Sequence, residues 1–144
     1  MNSPDAFAAV APVVERLKAR FSNTVTVDWA SEVSALGDIR PLCPAAFVQA
    51  GGLQPRDRLA DAALVHGLQE VIVTVCIERR DEAPIEQQAQ SVMAEVFAAL
   101  NGWRHPASTG RPLRWVEALE PYFEAGYGEF PQVFAYPVTV GGST

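Results

Sequence analysis

The stretch LVHGLQEVIVTVCIER, Leu64 to Arg79, is the one on which the fold turns. Side chains alternate between the faces of a strand with a period of two. Val71, Val73, Val75 and Ile77 therefore share one face, and Ile72, Thr74 and Cys76 share the other. The first face is fully apolar and the second is mostly so. A strand of this kind is covered on both sides, by helices on one and by a second layer or a neighbouring subunit on the other. Ile72 and Thr74 are thus candidate contact residues.

Two amphipathic segments supply the helices. Ser3-Pro4-Asp5 reads as a helix start, with a capping hydroxyl, a proline at the first turn and an acid at the positive helix end. Phe7, Val10, Val14, Leu17 and Phe21 then recur at steps of three and four, with Glu15, Arg16, Lys18 and Arg20 on the wet side. Ser22-Asn23 turns the chain. The second helix starts at Pro84, after Asp81-Glu82. It places Ile85, Ala89, Val92, Val96 and Leu100 in a stripe broadened by Met93 and Phe97, and stops at Asn101-Gly102.

The remaining segments read as strands and connections. Thr24 to Trp29 alternates and is β-branched, and Pro44 to Gln49 is a second strand. Ala30 to Leu36 is short and helical or irregular, closed by Gly37-Asp38. Gly51 to Asp61, with two glycines and a proline, reads as a loop at the tip of a long hairpin, carrying Arg56 and Arg58. Leu113 to Leu119 and Gln132 to Val140 are strands joined by Pro121 to Pro131, where Tyr122 and Tyr127 are placed to meet a partner. The order implies an α+β fold spanning 1–144 as a single domain: a mainly antiparallel, mixed β-sheet with two amphipathic helices packed on one face. Residues 1–3 and 141–144 are expected to be mobile.

Composition narrows the function. With 11 Lys and Arg against 17 Asp and Glu, the formal charge is −6, and Lys18 is the single lysine. That is a poor surface for gripping phosphates. No apolar run approaches membrane-spanning length, and no secretory signal opens the chain. His66 and His105 have no Cys, Asp or Glu at ligand spacing, so no metal is expected. Cys76, inside Val75-Cys76-Ile77, reads as a small buried hydrophobe, and Cys43 has no nearby base. No nucleophile elbow or phosphate loop is present, so neither catalytic residues nor cofactors are assigned. Glu117, Glu120, Glu124 and Glu129 read as a solvated acidic edge before they read as paired catalytic carboxylates.

Several short motifs then fall in a recognisable order. Val14-Glu15-Arg16-Leu17 lies on the first helix and Cys43-Pro-Ala-Ala-Phe-Val48 at a strand entrance. A Gly-rich segment, the Val-rich strand, Leu100-Asn-Gly-Trp103 and Pro112-Leu-Arg-Trp-Val116 follow, and an aromatic strand ends the chain. From about Ala8 to Val140 the sequence resembles phage tail terminator, or tail completion, proteins. One departure is the stretch from Glu120 to Tyr136, which is longer than expected and holds Gly126, Gly128 and Pro131. The resemblance implies a non-enzymatic virion protein that forms a homo-oligomeric, hexameric ring. Such a ring sits at the head-proximal end of the tail, stops polymerisation of the major tail tube protein, and presents a docking face to the head-completion or neck protein. DNA would pass through the lumen without specific binding, and an acidic lumen would keep it from sticking. Two other readings stay open: a different head–tail neck protein, or a small α+β ligand-binding domain or enzyme with a pocket under Gly51 to Asp61. Ring size and binding to tube tips separate the first from termination, and a convergent set of polar side chains would mark the second.

Overall fold

The computed structural model describes residues 6–34, 36–58 and 64–141. Among them, six strands form one mixed sheet in the order β1-β2-β3-β6-β4, with β5 also on β6. The strands are β1 (Thr26–Trp29), β2 (Ala45–Arg58), β3 (Leu64–Glu78), β4 (Arg114–Ala118), β5 (Tyr122–Glu124) and β6 (Tyr127–Gly141). β1 runs parallel to β2, and every other pairing is antiparallel. The helices are α1 (Ala6–Phe21), the short α2 (Ala30–Val33) and α3 (Ile85–Leu100), with a 3-10 turn at Arg40–Leu42. This is the α+β arrangement expected from the sequence, with α1 and α3 side by side on one face.

The main core lies between that face and the two long helices. Val71, Val73, Val75 and Ile77 of β3, Phe130, Phe134 and Tyr136 of β6, and Ala46 and Val48 of β2 meet Val10, Val13, Val14 and Leu17 of α1 and Ala89, Val96 and Leu100 of α3. The helix stripes differ from expectation at both margins. Phe7 is 68% exposed and tilts against Trp29 at 5.4 Å, while Ala9 and Val13 complete the buried stripe of α1. Phe97 is 46% exposed and does not broaden the core face of α3. Pro12, inside α1, removes one helical N–H donor without ending the helix. At the end of α3, Arg16 reaches from α1 and donates its Nε–H to the Ala99 carbonyl, while its guanidinium lies 4.9 Å over the Trp103 ring. A cation at the negative end of α3 satisfies a carbonyl that has no helical partner.

Two expectations are corrected at the sheet. The segment from Gly51 is not a loop: β2 continues to Arg58, paired with β3 as far as Arg58↔Val65. The register shifts between Ala50 and Leu53 and again between Pro55 and Asp57. The glycines are there because the strands come unusually close. A Cβ on Gly51 would sit 2.8 Å from Glu70 Cβ, and one on Gly67 would sit 2.8 Å from the Gln54 carbonyl oxygen. Bulges use glycine in this way. Likewise Pro121 to Pro131 is not an open connection. β5 folds back on β6 through Ala125-Gly126, where Gly126 takes φ +73°, and the long stretch from Glu120 is a hairpin. Gly141, expected in a mobile tail, pairs with Leu64. The assigned cap Ser3-Pro4-Asp5, the expected mobility of 1–3 and 142–144, and the loop residues 59–61 lie outside the described residues.

This packing makes a graded prediction. Leu17 is fully buried, so Leu17→Ala should lower unfolding free energy by about 2–5 kcal/mol. Phe97→Ala should change it by no more than about 0.5 kcal/mol, as an exposed position does. Urea unfolding followed by tryptophan fluorescence measures both, and equal losses would show that the α3 face is misassigned.

Candidate functional site

The second face of the sheet has two unlike halves. At one end α2 and the 3-10 turn fold over it and bury Val33, Cys43, Ala45, Phe47, Cys76 and Tyr127 in a small second core. Tyr127 donates its hydroxyl to Glu129 Oε2 at 2.6 Å, and Arg40 lies 5.4 Å over its ring. Tyr127, expected to offer contact surface, is 4% exposed and packs within its own chain. Arg80 Nη2 donates to the Cys43 carbonyl at 2.8 Å and closes the edge of this cluster. Farther along the same face burial is uneven, with Val133 and Ala135 only 3% and 1% exposed. Ile72 and Thr74 are half-buried there, with Val133 opposite Ile72 and Pro131 opposite Thr74.

The candidate residues thus fall in three places. Ile72 and Thr74 are half-buried neighbours on the second face. Arg56 and Arg58 belong to β2 near its distal end. Tyr122 lies on the opposite side of the sheet, 50% exposed on β5. Its hydroxyl donates to Glu124 Oε1 at 2.7 Å, and Arg40 also reaches Glu124, at 3.4 Å. The Tyr122 hydroxyl bond, and then Arg40, hold the Glu124 carboxyl below its ordinary range. Around Tyr122 the structure adds surface that the sequence reading did not single out as contact. Trp115, Val116, Leu119 and Phe123 are each between 38% and 48% exposed. Trp115 donates its indole N–H to Gln132 Oε1 at 3.0 Å, which fixes the ring along the sheet rim. The available signal was Trp115-Val116-Glu117-Ala118-Leu119, apolar on both faces of a short strand where alternation would predict one.

The titratable side chains of catalytic type are held in structural roles. His66 is exposed, its Nδ1 3.1 Å from Thr139 Oγ1 across β3 and β6. His105 is completely buried and stacks on Tyr136, with ring centroids 4.0 Å apart. Its Nε2–H donates to the Ala9 carbonyl at 2.8 Å, and its Nδ1 accepts the Ala107 N–H at 3.0 Å. Those bonds require the neutral ring protonated on Nε2. Burial pushes the pKa below 6.5 and the Ala9 carbonyl opposes this less strongly. Burial likewise pushes the Cys43 and Cys76 thiols up, to about 11 and about 12. Among the described residues no three His, Cys, Asp or Glu side chains gather as a metal would need.

The family described as phage tail terminator protein matches residues 3–144. Among solved structures, a chain of the "Virion of native gene transfer agent (GTA) particle" is similar in fold. It is 20% identical with a TM-score of 0.59, and the match covers 95% of this chain and 96% of that one. No curated protein matches. The family match over nearly the whole chain makes this a phage tail structural protein, a component of the virion. The chain belongs to the phage tail terminator family.

Two outcomes follow from the buried groups. Because the folded-state pKa of His105 is depressed, the unfolded chain takes up the proton first as pH falls. Its stabilising contribution is complete above pH 6.5 and is lost progressively below it. Urea midpoints of wild type and His105→Gln, measured from pH 7.5 to 5.5, should differ in slope, the variant being less stable at pH 7.5 but flatter. Parallel slopes would exclude His105 as the titrating group. Native protein at pH 8 should also leave both thiols unreacted with a disulfide reagent, and unfolding should release two.

Proposed function

We propose that this protein ends the tail. Copies of it form a closed ring, a hexamer, on the last ring of major tail tube subunits. The ring stops further polymerisation and offers its other side to a head-completion or neck protein, which places it at the head-proximal end. The observation that carries this reading is the family match over nearly the whole chain, 3–144. The half-buried Ile72–Thr74 face and the exposed rim at Trp115 and Tyr122 support it, since a closed monomer has no need of either. A ring satisfies such surfaces with finite size, whereas an open repeat of the same contact would grow as a filament.

The charge is in keeping with a conduit. At −6 the chain repels the DNA that would pass along the lumen. No described helix is long and apolar enough to cross a membrane.

Electron microscopy of lysates from a strain lacking this protein tests the proposal. Headless tails of uncontrolled, mostly excessive length are expected, with normal length and heads restored by the gene in trans. Tails of normal length that merely lack heads would assign the protein to head completion instead, and normal particles would remove it from assembly altogether.

A further inference from the structure

Exposed apolar surface gathers at the two ends of the sheet. At one end β4 and β5 pair only with β6, and every residue of both is exposed. Trp115, Val116, Tyr122 and Phe123 stand on these strands, and Leu119 lies between them. Among the described residues this rim holds five of the eight large apolar side chains that are exposed, so it is one patch and not scattered surface. At the other end the exposed Phe7 lies against Trp29, the last residue of β1. Beside Trp29 a depression of about 490 Å³ is lined in part by Ala6, Val10, Val48 and Ala50. It has room for an aromatic side chain.

Register puts the two patches at opposite ends of the same rows. The row from Ala118 crosses Gln132, Val73 and Val48 and ends at Trp29. The row from Tyr122 crosses Glu129, Cys76 and Ala45 and ends at Thr26. Ala118 to Tyr122 thus spans the length of β1. The row from Trp115 crosses Phe134 and Val71 and ends at Ala50, in the wall of the depression. The geometry points to these ends as the halves of one contact between copies: the β4–β5 rim of one copy packs against the β1 end of the next, with Trp115 over the depression beside Trp29. The proposal rests on the ring reading above and names its interface. A rotation axis perpendicular to the rows brings one end of a row to the opposite end of that row in the next copy. Two different surfaces meet, which is the condition for a cyclic ring of more than two copies. Sheet twist turns the outer strands away from each other, so side chains make this contact and the ladder does not continue across it.

Charge falls on matching rows. Lys18, the single lysine, is exposed on α1 beside β1. It lines one depression with Val25, Thr26 and Val27 and another with Phe7 and Trp29. On the rim, the Leu119 N–H donates to the Pro131 carbonyl, on the row that ends at Asp28. Glu120 is the next residue, exposed, and Tyr122 two further on belongs to the row of Thr26. Glu120 is therefore level with Val27, against which Lys18 lies. Among the described residues the ion pairs are Arg20–Glu95 and Arg40–Glu124, and neither includes Lys18 or Glu120. Docked copies bring this ammonium to this carboxylate. The aromatic side chains anchor the contact, and the charge pair at its margin selects the partner and its register.

Cross-linking reads this contact directly. Lys18→Cys and Glu120→Cys, singly and together, are supplied in trans to the deletion strain, and the particles are treated with a short bismaleimide. Cys43 and Cys76 are buried, so the new thiols are the ones that react. Within one chain the two sites flank a row of five strands, about 19 Å across by strand spacing, which the reagent does not bridge. The double variant should give a ladder of covalent species up to six copies. The two single variants expressed together should give dimers, and neither alone should give any. Linkage in a lone single variant would join like surfaces and overturn the proposal. So would rings at tail tips with no linkage in either the double variant or the co-expressed pair. Trp115→Asp, at an exposed position, should stay folded by thermal unfolding yet lower linkage and head-bearing particles by about tenfold or more, as loss of an aromatic anchor does. Full linkage in that folded variant would remove the indole from the contact. The ring reading fails separately, if wild-type tail tips carry no ring.

Discussion

The pairing of β3 with β6 sets the terms for everything else in this molecule. Leu64 to Glu78 and Gly141 to Tyr127 run antiparallel without a register shift over fifteen residues. A slip of one residue would send every side chain to the wrong face. Val71, Val73 and Val75 would leave the helices, and Ile72, Thr74 and Cys76 would be driven beneath them. The unbroken ladder prevents this, so β3 from Val71 to Ile77 gives the helices only apolar side chains while its other face can be mixed. It also fixes where the short strands go, since β4 and β5 can only add to the free side of β6.

With the ladder in place, the connections act as braces. α2 and the 3-10 turn fold over one end of the second face and shut off Cys76 and Tyr127, while Ile72 and Thr74 farther along stay half-buried. His105 ties the connection after α3 to the first turns of α1 by way of the Ala9 carbonyl, with Tyr136 of β6 stacked against it. Arg16 ties α1 to the end of α3. Each brace joins parts of the chain far apart in sequence, so α1 is held by side-chain hydrogen bonds as well as by its apolar stripe.

What the sequence made legible follows from period and from strength of pattern. The valine alternation of β3 and the three-and-four spacing of α1 and α3 are long repeats, and the structure has them where they were expected. β2 was harder, because Gly51-Gly52 and Pro55 signal a loop when each is read alone. Their reason is tertiary: Gly51 lets β2 pass close to Glu70 at a bulge, and Pro55 lies on a stretch of β2 that pairs with β3 alone among the described residues. The β5 hairpin is three residues long and gave no periodic signal at all. Tyr127 and Tyr122, five positions apart, looked alike in sequence; one faces the small second core and the other the rim, a difference set by the Gly126 turn. The candidate contact residues were recognisable as types, but their grouping on two edges and one face depends on strand order, which no local pattern encodes.

The two cysteines have a bearing on the life of a particle. A virion component passes from the reducing interior of a cell to an oxidising exterior, and a reactive thiol on a subunit would invite mixed disulfides between neighbours during that passage. Cys43 and Cys76 are sealed under α2 and the 3-10 turn. Burial raises both thiols above the ordinary cysteine range, which disfavours the reactive thiolate. The subunit's durability outside the cell rests on packing, with no covalent staple to be made or broken.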